Sequence, residues 1–428
     1  MPFESKIIAK NMNNTDATLD FTSSGFGTPD AAIIFISRVM YDDGRVEDHH
    51  QQSISLWDGT RVRCVSIWDE DGQATTDAVT SASNSAVIMN SDFGGVSQHA
   101  VSNITDGIRL TEASNNIVDL SVTVVLLKGV SNVRVDDFTP NATAGGTVSV
   151  TDPAFDPDWI MFLNPCGMNF SSGVSGKRND ATFAVAHVVK DGAGFDAVSN
   201  TWASEDGVST SNLVGAIYDN GVITENVLGA QELEFTSFDA NGFTVESVTS
   251  DAGARAVAYL AVKFDTGDVA KISKNAIPSS AQTSFYPTSG VNPNTLILQQ
   301  SRIGSAVYNS LRSGGIIETN GHFLADDTIT QISTGGGSEH NVVTSVTIDY
   351  SENGGFVMYQ PSGAGAIAEG VLQSLDTEGF TILWTTPSTL PAFTFVGVAI
   401  GPEAVAVVTG EKPLYRGIDR GINRGVVS

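Results

Sequence analysis

The chain has 428 residues, a formal net charge of −26, 43 glycines and only 16% charged residues. An apolar share of 41% supports packed interiors and is too high for a disordered chain. The acidic balance argues against a surface that grips nucleic-acid phosphates or anionic lipid, so neither nucleic acid nor membrane insertion is expected.

The first residues, Met1-Pro2-Phe3-Glu4-Ser5-Lys6, lead into no apolar signal core, and no window reaches the roughly 18 apolar residues of a membrane span. The first patterned segment is Phe26-Gly27-Thr28-Pro29-Asp30, running into the apolar Ile33-Ile34-Phe35-Ile36. It closes with Asp106-Gly107-Ile108-Arg109-Leu110 and the run Leu120 to Leu127. The same grammar returns at Phe155-Asp156-Pro157-Asp158 before Trp159-Ile160-Met161-Phe162, closing with Asn241-Gly242-Phe243-Thr244-Val245 and Val257 to Val262. It returns again at Val291-Asn292-Pro293-Asn294 before Leu296-Ile297-Leu298, closing with Glu378-Gly379-Phe380-Thr381-Ile382 and Phe395 to Ile400. The prolines lie 128 and 136 residues apart and the turn glycines 135 and 137, so two markers at opposite ends of a module recur in register.

Between the markers the pattern is strand and turn. Arg61 to Trp68, Thr182 to Val189 and Val343 to Tyr350 each precede a polar, Gly-bearing cluster of hairpin type. The turn glycines are expected at positive φ. No capped 3.6-residue apolar stripe occurs. The predicted fold is therefore all-β: three tandem antiparallel β-sandwich or jelly-roll-like domains. Polar, turn-rich connections at 132–147 and 265–282 place the domains at 1–139, 140–274 and 275–402. Cys64 and Cys166 fall in different repeats and predict no disulfide.

The segment 403–428 has another character. Arg416-Gly417-Ile418, Arg420-Gly421-Ile422 and Arg424-Gly425-Val426 repeat with period four, and the stretch from Lys412 onward is net +3 against −29 for the remainder. The expected role is an extended assembly arm, with Arg416, Arg420 and Arg424 as charged contacts and Ile418 and Ile422 as apolar ones.

No residue set announces catalysis. Gly335-Gly336-Gly337-Ser338 lacks the Lys-Ser/Thr ending of a phosphate loop, and no nucleophile elbow occurs. His49-His50 are adjacent, which on a strand points them to opposite faces and works against shared metal ligation. The acidic turns at Asp42-Asp43-Gly44, Asp69-Glu70-Asp71-Gly72 and Asp326-Asp327 lack the spacing of a helix-loop-helix Ca²⁺ loop and read as ordinary turns. Catalytic, cofactor-binding and metal-binding residues are therefore assigned to none, and an enzyme is not expected. Among the aromatic residues, Trp57 and Trp202 are the candidates for an exposed platform on which a sugar could stack.

The closing motif, Gly-Phe-Thr-Val/Ile followed by Val257-Ala258-Tyr259-Leu260-Ala261-Val262 or Val396-Gly397-Val398-Ala399-Ile400-Gly401, resembles H-type lectin repeats over about 30 residues per unit. That resemblance implies small β-sandwiches of the kind found in some bacteriophage tail proteins. The tandem β-domains, acidic Gly/Ser/Thr/Asn-rich composition, absent signal and Arg-Gly-Ile tail are similar in style to structural proteins of tailed-phage virions. The resemblance implies a non-enzymatic virion component of the tail or capsid surface, made in host cytoplasm without a signal peptide. Its implied partners are other copies of itself, as a trimer or ring, and other virion proteins. The alternative is a carbohydrate-binding adhesin that attaches to a host surface glycan.

Overall fold

The computed structural model describes residues 2–13, 15–39, 44–47, 49–70, 78–85, 87–90, 96–114, 120–165, 168–170, 178–179, 181–204, 213–218, 221–224, 232–249, 255–301, 317–339, 346–359, 366–387 and 394–404. Among these the regular structure is all strand. The first unit holds β1 (Glu4–Met12), β2 (Thr18–Thr22), β3 (Ala31–Ser37), β4 (Gly44–Glu47), β5 (His49–Trp57), β6 (Val62–Glu70), β7 (Ala78–Ser83), β8 (Val87–Asn90), β9 (Val96–Ile104), β10 (Gly107–Ser114) and β11 (Leu120–Lys128). The second holds β12 (Val130–Phe138), β13 (Gly146–Val150), β14 (Trp159–Asn164), β15 (Arg178–Asn179), β16 (Ala181–Asp191), β17 (Gly194–Ser204), β18 (Leu213–Tyr218), β19 (Val222–Thr224), β20 (Leu233–Asp239), β21 (Gly242–Ser247) and β22 (Val257–Phe264). The third holds β23 (Asp268–Ala276), β24 (Gln282–Pro287), β25 (Thr295–Ser301), β26 (Ile317–Asp326), β27 (Gln331–Glu339), β28 (Val346–Asn353), β29 (Phe356–Tyr359), β30 (Ala366–Asp376), β31 (Gly379–Thr386) and β32 (Thr394–Pro402).

With β4 and β15 set aside, the three units share one topology. The large sheets run β1-β11-β3-β5-β6-β7, β12-β22-β14-β16-β17-β18 and β23-β32-β25-β26-β27-β28. The small sheets run β2-β10-β9-β8, β13-β21-β20-β19 and β24-β31-β30-β29. In each unit the large sheet is thus first-last-third-fourth-fifth-sixth, and the small one second-ninth-eighth-seventh.

The seams fall elsewhere than the composition placed them. β12 pairs with β22 and β23 with β32, so the units divide at Gly129 and at 265–267 rather than at 139 and 274. The first strand of each following unit was hidden in what read as a polar connection. β12 and β23 each bury only two residues fully, because one edge and much of one face stay wet.

The recurring markers acquire physical causes. After each proline, the backbone N–H of Asp30, Asp158 or Asn294 donates to a carbonyl of the last strand: Leu127 at 2.8 Å, Val262 at 2.8 Å and Ile400 at 2.9 Å. The side chains of Asp30 and Asp158 also accept from the chain leaving that strand, from Gly129 N at 2.8 Å and Phe264 N at 3.0 Å. At the closing turns the carbonyls of Asp106, Asn241 and Glu378 take the N–H of Ser23, Ala154 and Thr288 at 3.0, 3.1 and 2.8 Å. In the first and third units positive φ sits on the polar residue, at 63° for Asp106 and 55° for Glu378, and not on Gly107 or Gly379, whereas in the second unit Gly242 itself has the positive φ, 157°, that the turn pattern predicted. The glycine is needed for a different reason. A Cβ at Gly107 or Gly242 would overlap the carbonyl oxygen of Phe21 or Val150 on the neighbouring strand.

The apolar interior has two levels. Each sandwich closes a private core; Ile34 and Ile36 face the first, Ile160 and Phe162 the second, Leu296 and Leu298 the third. The alternate residues of the same strands, Ile33 and Phe35, Met161 and Leu163, and Ile297, meet in one core shared by all three units. This is why the strands after each proline are unbroken apolar runs: their sheets are covered on both faces. All seven residues of β3, all nine of β6 and all six of β14 are buried.

Candidate functional site at the threefold junction

The three large sheets face inward and close a ring. At each seam the first strand of one unit is latched by the turn after the fourth repeat strand of its neighbour. Val135 N donates to Asp58 Oδ2 at 2.9 Å from the first unit to the second, and Ile7 N to Asp326 Oδ2 at 3.0 Å from the third back to the first. Ile7 and Val135 are equivalent positions, since each pairs with the last-strand residue opposite the third repeat strand. At the remaining seam Lys271 Nζ reaches Asp191 Oδ1 at 2.7 Å. The interface is heterologous and closes after three units, as a cyclic trimer does, but within one polypeptide.

Exchanged strands reinforce the ring. Segment 44–47, from the first unit, pairs with β28 as a seventh strand of the third unit's sheet. Segment 178–179, from the second unit, pairs with β7 in the first. Both segments lie between the third and fourth repeat strands of their own unit, so the exchange runs in one rotational sense. Ionic ties add to the first seam: Arg63 Nε to Asp137 and Nη2 to Asp136, each at 2.5 Å, with Arg63 8% exposed. Arg63→Ala is expected to cost about 1–2 kcal/mol, since it leaves Asp137 without its cation in the seam while Asp136 keeps Arg134 at 2.5 Å. Urea titrations at low and high salt check this; a loss that vanished at 1 M salt would mark the pair as a screened surface contact.

The junction itself is not uniformly apolar. His187 is fully buried, its Nδ1 accepts from Trp159 Nε1 at 3.3 Å, and its Nε2 has no partner among the described residues. The His322 ring lies tilted 4.7 Å from Phe35 across the seam between units three and one, and its Nδ1 has no partner among the described residues. His50 meets Trp202 across another seam, with ring centroids 4.7 Å apart. Gln52 and Gln299 are buried, and neither amide has a partner for its N or O among the described residues. Burial pushes His187 down to about 3, and burial together with nearby His187 does the same to His322. Both are therefore neutral at pH 7.

The candidates from sequence are placed as follows. Trp57 and Trp202 are 2% and 1% exposed, so neither offers a face to a sugar in solution. Trp57 packs in the first sandwich's private core and Trp202 in the shared one. A large aromatic in a mostly polar stretch read as a surface platform; the second covering layer supplied by the ring buries it instead. Arg416, Arg420, Arg424, Ile418 and Ile422 lie outside the described residues, as do Cys166 and His340. Cys64 is buried, its thiol raised by that burial and bonded to Ser53 at 3.1 Å. Gly335 and Gly336 lie in the strand β27, not in a loop. Asp326 proves to be a seam latch, and its Oδ1 also takes Thr328 N at 3.0 Å to shape the turn. Among the described residues no group of three or more His, Cys, Asp or Glu side chains is arranged to hold a metal ion.

A recess of about 530 Å³ opens between the second and third units, where linker 265–267 meets Glu403. Its lysines are ion-paired: Lys190 with Asp156 at 2.5 Å, Lys263 with Asp158 at 3.0 Å and Lys271 with Asp191 at 2.7 Å. At this rim Ala404 N donates to Gly290 O at 2.9 Å. The sequence could not show the junction, because its histidines and glutamines sit at different positions in different repeats. Comparison with known proteins finds no match to a family model, to a curated protein or to a solved structure.

Proposed function

We propose that the chain is a non-enzymatic structural component of a tailed-phage virion, of the tail or the capsid surface, made in the host cytoplasm. The observation that supports this most is the closed ring of three like sandwiches. Separating two units means breaking sheet hydrogen bonds, carboxylate latches and a shared apolar core together. Such a body holds its shape under load, which suits a part used in many copies. The net charge of −29 before Lys412 keeps these bodies apart in solution. Association then falls to the segment of opposite sign, with Arg416, Arg420, Arg424, Ile418 and Ile422 gripping a neighbouring copy or another virion protein to build a trimer or ring of chains.

Deleting residues 412–428 is expected to leave the circular-dichroism spectrum and melting temperature unchanged. Light scattering is expected to show the full chain as an oligomer and the truncated chain at the mass of a single copy, and the truncated chain should fail to enter particles. A full chain that stays monomeric at every concentration, or a truncated chain that assembles as well as the full one, overturns the proposal.

A further inference from the structure

The junction holds ionisable groups that a purely mechanical ring does not need. The corresponding position to His187 is Leu56 in the first unit and Leu324 in the third; the position of His322 is Ile54 in the first and Val185 in the second. Apolar side chains therefore fill these places wherever histidine does not. What faces each ring is neutral. Met161 and Val198 lie directly opposite His187 on the adjacent strands, with Trp159 beside it. Gln299 and Thr334 lie opposite His322, with Phe35 across the seam. The one titratable group acting on His322 is His187, and burial is the sole cause acting on His187. Among the described residues no carboxylate lies opposite either ring, and burial keeps a protonated imidazole here from bulk solvent.

The three seams are not equally tied. The chain itself crosses the first at Gly129 and the second at 265–267, whereas the seam between units three and one is crossed by the exchanged strand β4, which pairs with β28. Its polar ties include carboxylates holding main-chain N–H groups, Asp326 on Ile7 at 3.0 Å, Asp349 on Gln51 at 2.8 Å and Asp268 on Phe3 at 3.0 Å, together with Lys6 Nζ to Asp327 at 2.6 Å and the hydroxyl pairs Ser5–Thr295 at 2.5 Å and Ser121–Ser351 at 2.8 Å. Asn294 adds a bond to Phe3 O at 3.3 Å. His322 and Phe35 meet across this same seam.

We propose that the threefold junction is an acid-sensitive lock, in which protonation of His187 and His322 parts the seam between the third and first units, drawing β4 off β28, while each sandwich stays folded. The closed ring holds both histidines near 3, and parting the seam returns them toward the ordinary 6.5. A base whose value is lowered in the closed state leaves that state at full strength above 6.5 and weakens it as pH falls from 6.5 toward 3. At pH 5 each histidine favours the open form about 30-fold, and the two together about 10³-fold.

Hydrogen exchange of the whole chain at pH 7.5 and pH 5, corrected for intrinsic rates, tests the lock. Peptides of β1 and β5, whose Ile7 and Gln51 amides hold the seam, are expected to lose up to about 10³-fold in protection at pH 5. Peptides of β10, β21 and β31 in the small sheets should keep theirs. The double variant His187→Leu with His322→Val carries the residues found in other repeats and should abolish the response. His99 is also buried and held at about 4, but it lies in the first unit's small sheet; His99→Val should leave the seam response intact. If the double variant folds poorly, each single variant should remove about half of the response on a logarithmic scale. Unchanged seam protection in the native chain overturns the lock, as does small-sheet protection lost together with the seam. A full acid response in the double variant, or in both single variants, does the same.

Discussion

Gly107→Ala is expected to destabilise the first sandwich by about 3–5 kcal/mol, among the largest losses a single methyl can cause. Gly107 pairs with Thr22, and Ile108 with Phe21, across the β10–β2 ladder. An added Cβ would overlap Phe21 O, a main-chain atom held by that ladder. No rotamer change relieves a clash with backbone, so the strands must part at the turn where the sandwich closes. Gly145→Ala serves as the control. Gly145 has φ of 74°, yet open space surrounds its Cβ position, so only conformational strain of about 1–2 kcal/mol is expected. Urea unfolding followed by circular dichroism measures both. Equal losses at the two sites would show that φ strain, and not the close approach, explains the glycine of the closing motif.

Trp159→Ala should cost about 3–5 kcal/mol, from the emptied volume and the lost partner of His187. Trp159 is fully buried, stacks 6.0 Å from His187 and belongs to the core common to all three units. Its loss should therefore be felt beyond its own sandwich, with exchange protection falling in β3 and β25 as well as β14. Phe243→Ala has a similar intrinsic cost but a different reach. Phe243 sits in the second unit's private core, 5.4 Å from Phe162, 5.7 Å from Phe138 and 5.1 Å from Tyr259. That variant should loosen β14, β21 and β22 and spare β3 and β25. Identical exchange maps for the two variants would mean that the shared and private cores do not separate energetically.

Much of each sandwich was legible in the chain. Pro29-Asp30, Pro157-Asp158 and Pro293-Asn294 mark where an N–H must return to the last strand, and Gly107, Gly242 and Gly379 mark the closing hairpin. The first strands β12 and β23 were not legible, because edge strands that bury every second or third residue resemble connections. Trp57 and Trp202 were misplaced for the converse reason. Burial on the second face of a sheet comes from a neighbouring layer that local sequence does not specify.

The sequence by itself determined the all-strand module, its threefold repetition and the turns that close each copy, because hydrogen-bond closure and alternation are local. Only the tertiary structure decided that the three copies form a ring, that 44–47 and 178–179 cross into neighbouring sheets and that His187 and His322 meet at its centre. Those outcomes depend on contacts between residues more than seventy positions apart. Chain order constrains such contacts only through the shapes and charges of surfaces that exist once each sandwich has folded.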